Sequence, residues 1–72
     1  MIEKVLGKRI AELRRAKGLS QEELAAKSRY STEFISLVER GLNAPSVAGL
    51  SRIAKALRVE IKDLFEFGRS AK

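Results

Sequence analysis

The polar side chains between Thr32 and Arg40 are those whose types and spacing could recognise another molecule. At 100° per residue, a helix through this segment turns Ile35 and Val38 to one side. The opposite side then carries Thr32, Glu33, Ser36, Leu37 and Arg40. Hydroxyls bond to several base edges, a carboxylate accepts from the cytosine amino group, and a leucine can touch a thymine methyl. The segment is therefore either a base-reading surface or an ordinary solvated helix face.

Catalytic chemistry has few residues to work with in this sequence. The chain contains no Cys and no His, which excludes thiolate and imidazole metal ligands, thiol nucleophiles and disulfides. Its carboxylates are scattered over faces predicted to be solvated, so they form no nucleophile-base pair or metal cluster. We therefore predict that the protein is not an enzyme and has no metal, no cofactor and no evident small-molecule substrate.

The charge balance favours a polyanionic partner. The 15 Lys and Arg residues exceed the 9 Asp and Glu residues, which leaves a net charge of +6 at pH 7 on 72 residues. This sign attracts phosphate or anionic lipid, but excess cations also keep a small domain soluble. Capped, interrupted helices do not suit a membrane surface, so we predict no membrane partner. Since no stretch resembles a signal peptide, the expected location is cytoplasmic and nucleoid-associated.

Helix signals divide the first part of the chain into two elements. Apolar residues at helical spacing predict a first helix from Ile2 to Lys17, which Gly18 ends. The four residues from Ser20 to Glu23 have the form of a capping box. A second helix of about two turns therefore begins at Gln21 and ends near Ser28-Arg29-Tyr30.

Three further helices are predicted after the second. Ser31 can cap a helix from Thr32 to about Arg40, and Gly41 marks its end. Ser46 can cap a fourth helix, and a fifth runs from about Ile61 to Phe67. No segment alternates like a strand, so the predicted fold class is all-α.

A chain of this size holds one domain, which we place at residues 1–67, with 68–72 as a flexible C-terminal tail. The apolar stripes of the five helices must cover one another in a single core. The predicted core residues are Leu6, Ile10, Leu13, Leu19, Leu24, Ala25, Ile35, Val38, Leu50, Ile53, Ala54, Leu57, Val59, Leu64 and Phe65.

The segment from Leu19 to Gly41 pairs two capped helices across a turn of about three residues. In such a pair, one helix can cross the DNA backbone while the next lies in the major groove. The chain resembles the Cro/CI-type, or xenobiotic-response-element, family of bacterial and phage regulators. The motifs that carry the resemblance are Leu19-Ser20-Gln21-Glu22-Glu23-Leu24-Ala25, Phe34-Ile35-Ser36, Glu39-Arg40-Gly41, Pro45-Ser46 and Ile53-Ala54-Lys55-Ala56-Leu57. The small size and the terminal Leu64-Phe65 also resemble restriction-modification controller proteins.

The resemblance implies a compact five-helix, lambda-repressor-like domain that regulates transcription by binding specific double-stranded DNA. Its helix-turn-helix would consist of the second and third helices, and its base readers would be Thr32, Glu33, Ser36 and Leu37. In similar regulators, the residue at Gln21 clamps a phosphate at a helix N-terminus, a place that itself favours anions. An Arg at the end of the first helix commonly joins a Glu late in the third. We therefore expect a partly buried ion pair between Arg14 and Glu39.

Further polar residues flank the same two helices. Those around the loop after the third helix could hold phosphates opposite Gln21. The complete predicted set of phosphate contacts is Gln21, Ser31, Arg40, Asn43, Ser46 and Arg29. Arg9, Arg15, Lys17 and Lys27 are expected to add only a diffuse positive field, to which Arg29 would also contribute.

Arg29 and Arg58 depart from the family pattern, in which Gly often occupies both positions. A left-handed backbone at either Arg would cost on the order of 1 kcal/mol. Arg29 could offset this cost by reaching a phosphate.

The C-terminal end is more apolar than a short tail requires, which predicts a dimer interface there. The interface residues would be Ile61, Leu64, Phe65 and Phe67. A two-fold pair would present two recognition helices about 34 Å apart to a palindromic operator. The alternative function is a protein-interaction module of the same fold, such as the antitoxin half of a toxin-antitoxin pair.

Overall fold

Four α-helices and a terminal 3-10 helix make up the structure, a computed structural model that describes residues 1–67. Helix α1 spans Ile2–Ala16, α2 spans Gln21–Ser28, α3 spans Thr32–Glu39, α4 spans Val47–Leu57, and the 3-10 helix spans Ile61–Phe65. No strand occurs in this range, and the all-α prediction is confirmed. None of these helices is long and apolar enough to cross a membrane. The predicted tail, 68–72, lies outside the described residues.

Side-chain caps start three of the helices at the positions predicted from the sequence. The Ser20 hydroxyl accepts from the Glu23 amide at 3.0 Å, and the Glu23 carboxylate accepts from the Ser20 amide at 2.8 Å. These reciprocal bonds complete the capping box of α2. The hydroxyls of Ser31 and Ser46 cap α3 and α4, each accepting from the amide three residues on at 3.0 Å. Each cap satisfies a backbone donor that the helix itself leaves without a partner.

The fifth predicted helix is a 3-10 helix that ends at Phe65 rather than an α-helix that continues to Phe67. Asp63 closes this turn twice. Its carboxylate accepts from the Glu60 amide, and its own amide donates to the Glu60 carbonyl, each at 2.9 Å. So short a segment forms too few α-helical bonds to offset nucleation, which favours the tighter turn. The prediction of five helices is therefore corrected to four α-helices and one 3-10 helix.

The core draws on every helix. Its buried apolar residues are Leu6, Ile10, Ala11, Leu24, Ala25, Ile35, Val38, Ile53, Ala54, Leu57 and Leu64. Four more predicted core residues are partly buried against it, namely Leu13, Leu19, Leu50 and Val59. The core assignment of Phe65 is wrong, because the 3-10 turn directs its neighbour Leu64 inward and leaves Phe65 41% exposed. Ala11 is buried although it was not predicted to be.

Gly7 allows α1 to lie directly against the C-terminal end of α3. A Cβ atom on Gly7 would collide with the carbonyl oxygen of Val38 and would lie 3.0 Å from that of Glu39. Ile35 and Val38 are buried on the same helix. These contacts hold α3 by one side, so the opposite side of the helix faces outward.

Candidate nucleic-acid interface

A clamp from α4 holds the turn between α2 and α3. Arg52 Nε donates to the carbonyl oxygen of Ser28, the last residue of α2, at 2.8 Å. The guanidinium carbon of Arg52 lies 4.8 Å from the centroid of the Tyr30 ring. This ring stacks on Phe34 of α3 with 4.4 Å between centroids. The turn and both of its helices therefore pack as one unit.

Gly49 provides the space for this clamp inside α4. A Cβ atom there would collide with the Tyr30 hydroxyl, which explains a glycine in a helix interior despite its low helix propensity. The roles of Tyr30 and Arg52 were not predicted from the sequence. The spacing of Tyr30 and Phe34 by four residues is the signal that could have revealed the stacked pair, whereas nothing local indicated Arg52.

The outward face of α3 carries the side chains predicted to read bases. Of the set, Thr32, Glu33 and Arg40 are exposed, and Ser36 and Leu37 are partly buried. Ile35 and Val38, on the opposite side, are excluded from solvent. Hydroxyl, carboxylate and methyl groups are thus available together along one side of a single helix.

Arg14 and Glu39 lie together as a bidentate ion pair between α1 and α3. Arg14 Nε is 2.7 Å from Glu39 Oε2, and Arg14 Nη2 is 3.1 Å from Glu39 Oε1. Only 11% of the Arg14 side chain and 5% of the Glu39 side chain are exposed. Arg14 Nη1 also donates to the Leu19 carbonyl at 2.8 Å, and Gln21 Nε2 donates to Glu39 Oε1 at 2.9 Å. The network therefore joins α1, α2 and α3.

The other residues predicted to contact phosphate lie at helix ends or, for Asn43, in the loop between α3 and α4. Ser31 and Ser46 are exposed N-caps whose hydroxyls accept from the backbone and can also donate. Asn43 Oδ1 accepts from the next amide in the chain at 2.9 Å, which leaves its amide nitrogen to donate elsewhere. Arg29 and Arg40 are exposed at the C-terminal ends of α2 and α3. These groups place hydrogen-bond donors and positive charge at both ends of α3 and at the neighbouring ends of α2 and α4.

Arg29 and Arg58 both adopt left-handed backbone. Arg29 has φ of +63° after α2, and Arg58 has φ of +60° after α4. Each position therefore carries the strain of order 1 kcal/mol that a left-handed L-residue implies.

Arg9 is a structural residue, which corrects the prediction that it adds only a diffuse charge. Its Nε donates to the Asp63 carbonyl at 2.9 Å, and 19% of its side chain is exposed. The contact joins α1 to the 3-10 helix across 54 positions of sequence. No local pattern could have signalled it.

Three of the four residues predicted for a dimer interface reach the surface. Ile61 and Phe65 are each 41% exposed, and Phe67 is partly buried with its ring centroid 5.9 Å from that of Phe65. The interface assignment of Leu64 is wrong, because this side chain is fully buried in the protein's own core. At three residues per turn, a 3-10 helix directs adjacent side chains to different sides, which separates Leu64 from its neighbours.

The polar groups of this region suit a polyanion better than a metal ion. Within residues 1–67, no group of three acidic side chains could hold a metal. The groups around α3 are instead hydroxyls, amides and guanidinium ions, which are the donors that commonly bind phosphate.

Known proteins are similar to this chain in both sequence and fold. A sequence profile of the helix-turn-helix family matches residues 10–64. The uncharacterized HTH-type transcriptional regulator y4dJ of Sinorhizobium fredii is 44% identical, over 85% of this chain and 79% of its own length. The control protein C.BamHI of Bacillus amyloliquefaciens is 36% identical, over 88% of this chain and 79% of its own length.

Solved structures extend the similarity to the fold. The crystal structure of the restriction-modification controller protein C.AhdI from Aeromonas hydrophila matches with a TM-score of 0.86 and 41% identity. The match covers 88% of this chain and 96% of C.AhdI. By contrast, the chain spans 42% of the length of a 44% identical HTH-type regulator from Mycobacterium tuberculosis.

Proposed function

Because this chain belongs to the helix-turn-helix family of DNA-binding transcriptional regulators, we propose that it binds a specific operator as a homodimer with α3 in the major groove. Its function is regulation of transcription through DNA, not catalysis. The observation that carries the finer proposal is the exposed polar side of α3, opposite the buried Ile35 and Val38. A helix held in this way can enter a groove about 12 Å wide.

The chemistry of the outward face supports base reading by single contacts. Glu33 would accept from a cytosine amino group, and Leu37 would contact a thymine methyl. Thr32 and Ser36 would bond to base edges through their hydroxyls. The first positions of α3 lack Arg, Asn and Gln, the usual bidentate readers, so we propose that specificity comes from several single bonds acting together.

Phosphate contacts on both sides of α3 would set its register in the groove. We propose Gln21, Ser31 and Arg29 for one side, and Arg40, Asn43 and Ser46 for the other. The net charge of +6 supports this arrangement, because each neutralised phosphate releases counterions and strengthens binding at low salt. A cytoplasmic, nucleoid-associated location follows from the proposal, since operator DNA lies there.

The exposed apolar side chains after α4 would form the dimer contact. Ile61 and Phe65 offer apolar area at the surface, and the Phe67 ring lies beside that of Phe65. A two-fold pair would match two half-sites about one helical turn apart.

Selection of bound sequences from a random DNA pool, at a stated salt concentration, tests the function. We expect an enriched palindrome whose affinity falls steeply as salt rises. Glu33→Ala should reduce the discrimination between bases at one base pair of each half-site by about 1 to 3 kcal/mol, the range for a hydrogen bond to a charged group, whereas the exposed Glu3→Ala should not. Failure to bind any duplex at low ionic strength would refute the proposal.

The likeness to C.AhdI supports a narrower role. It extends over 96% of that controller protein, so we propose that the regulated genes belong to a restriction-modification system. Sequencing the flanking genes checks this role: we expect an endonuclease and a methyltransferase gene nearby, and their absence would contradict it.

A further inference from the structure

Glu39 lies where three helices meet, and its carboxylate is almost completely removed from solvent. Two hydrogen bonds reach it from Arg14 of α1. A third comes from Gln21 Nε2 of α2, at 2.9 Å from Glu39 Oε1. The ion pair needs only the bonds from Arg14, so the bond from Gln21 has a separate consequence.

The bond to Glu39 sets the direction in which the Gln21 amide faces. A carboxylate only accepts hydrogen bonds, so the partner must be the amide nitrogen, and one of its two hydrogens points at Glu39. The second hydrogen and the amide oxygen are left for another partner. A Gln side chain without such a bond would sample several rotamers and lose that freedom on binding. The contact therefore orders Gln21 before DNA arrives.

We propose that Glu39 is a positioning residue for DNA binding, which aims the second amide hydrogen of Gln21 at a phosphate beside the start of α2. The inference rests on the proposed function, in which Gln21 contacts the DNA backbone. Ser20 already occupies the third amide of α2, so the first two amides of the helix serve the same phosphate. Since Glu39 is the last residue of α3, its carboxylate links the phosphate contact of Gln21 to the helix that lies in the groove.

Single methylphosphonate substitutions in the selected operator test the proposal, because each removes the charge of one phosphate. With the wild-type protein, affinity should fall about tenfold or more at the phosphate that Gln21 contacts. Gln21→Met cannot donate a side-chain hydrogen bond, so its loss at that phosphate should be clearly smaller than that of the wild type, with only the contribution of the first two amides of α2 remaining. Arg14→Met/Glu39→Met removes the carboxylate without leaving a buried charge unpaired. This double variant should match Gln21→Met at the same phosphate and match the wild type at the others.

Arg14→Lys is the matched control, because it alters the ion pair but keeps the acceptor of Gln21. It should retain the full wild-type loss. A double variant that also retains this loss would overturn the proposal. The proposal would also be overturned if the double variant reduced the loss of affinity equally at every phosphate. Such a pattern would indicate that α3 is displaced as a whole. If Gln21→Met kept the wild-type pattern, the phosphate clamp of the proposed function would fail, and the positioning role with it.

A measurement on the free wild-type protein decides the matter even if the double variant does not fold. NMR relaxation of the Gln21 side-chain amide should give an order parameter close to that of rigid backbone, about 0.85. A value below about 0.6 would show that Glu39 does not hold the amide, and it would overturn the proposal without reference to DNA.

Discussion

At the scale of single residues, Arg14 and Glu39 are two opposite charges in a nearly dry site, with 2.7 Å between Arg14 Nε and Glu39 Oε2. Breaking a buried pair on one side costs about 3 to 5 kcal/mol, because the remaining charge has no partner, whereas an exposed pair contributes under about 1 kcal/mol. The stability of the domain should therefore depend on this pair more than on the more open Arg9 and Glu12, 3.8 Å apart.

Replacing Glu39 by Gln tests that dependence. The variant keeps the shape of the side chain but leaves the Arg14 charge uncompensated, so its melting temperature should fall by several degrees at least. Each kcal/mol shifts Tm by about 4 to 8 °C in a domain of this size. The measurement is thermal unfolding followed by circular dichroism, with the exposed Glu22→Gln as the control. An unchanged Tm for Glu39→Gln would contradict the structural role of the pair.

Gly49 gives a second prediction at this scale. In an exposed helix, replacing Gly by Ala would raise the free energy of unfolding by about 1 kcal/mol, because Ala has the higher helix propensity. Gly49→Ala should instead destabilise the domain by about 1 to 3 kcal/mol, because the new methyl meets the Tyr30 ring, which Phe34 and Arg52 hold in place. Urea unfolding measures the effect. Adding Tyr30→Phe removes the clashing hydroxyl and should restore part of the loss; a stabilised Gly49→Ala protein would disprove the clash.

At the scale of the helices, Arg29 and Arg58 close α2 and α4 with the same left-handed backbone but in different surroundings. Arg29 lies in the turn before α3, beside the proposed phosphate contacts. Arg58 lies between α4 and the 3-10 helix, outside the helix-turn-helix formed by α2 and α3. Comparing substitutions at Arg29 and Arg58 therefore distinguishes the free-energy cost of backbone strain from any contribution of the side chain to DNA binding.

Gly at each position should relieve strain and raise stability by about 1 kcal/mol. Only Arg29→Gly should also weaken operator binding, with a slope of log affinity against log salt that is smaller by about 1. Arg58→Gly is the matched control and should leave both affinity and slope unchanged. An Arg29→Gly protein that is more stable and binds as tightly as the wild type would rule out a phosphate contact by Arg29.

At the scale of the whole molecule, one domain offers a single recognition helix, and two are needed for a palindrome. Ile61 and Phe65 are large apolar side chains left exposed after the core is complete. We expect them to be covered by a second copy, because exposed apolar residues often mark an interaction surface when they are close in the fold, as Phe65 and Phe67 are.

Light scattering at tens of micromolar should therefore give the mass of a dimer for the wild type. Ile61→Ser/Phe65→Ser should shift the protein to a monomer with an unchanged helical spectrum, since neither side chain belongs to the core. Val47→Ser is a suitable control, because Val47 is also exposed but lies at the start of α4. A strictly monomeric wild-type protein at this concentration would contradict the dimer proposal.

The starts of α2, α3 and α4 and the polar side of α3 could be predicted from residues that are close in sequence. Ser20, Ser31 and Ser46 cap amides three residues away, and apolar residues repeat within one or two helical turns. These relations join residues that are close in sequence, so they can be recognised without knowledge of the tertiary structure. The pairing of Arg14 with Glu39 came from the resemblance to a family and not from spacing.

Features that depend on residues far apart in the chain arise only when the helices pack together. Leu64 is buried and Phe65 exposed because the last turn is a 3-10 helix packed on the core, and both residues look equally apolar in sequence. Arg9 meets a carbonyl 54 residues away, and Gln21 meets Glu39 across 18 residues. Such contacts form only when helices pack together, because the geometry of packing, and not residue type, brings their atoms within bonding distance.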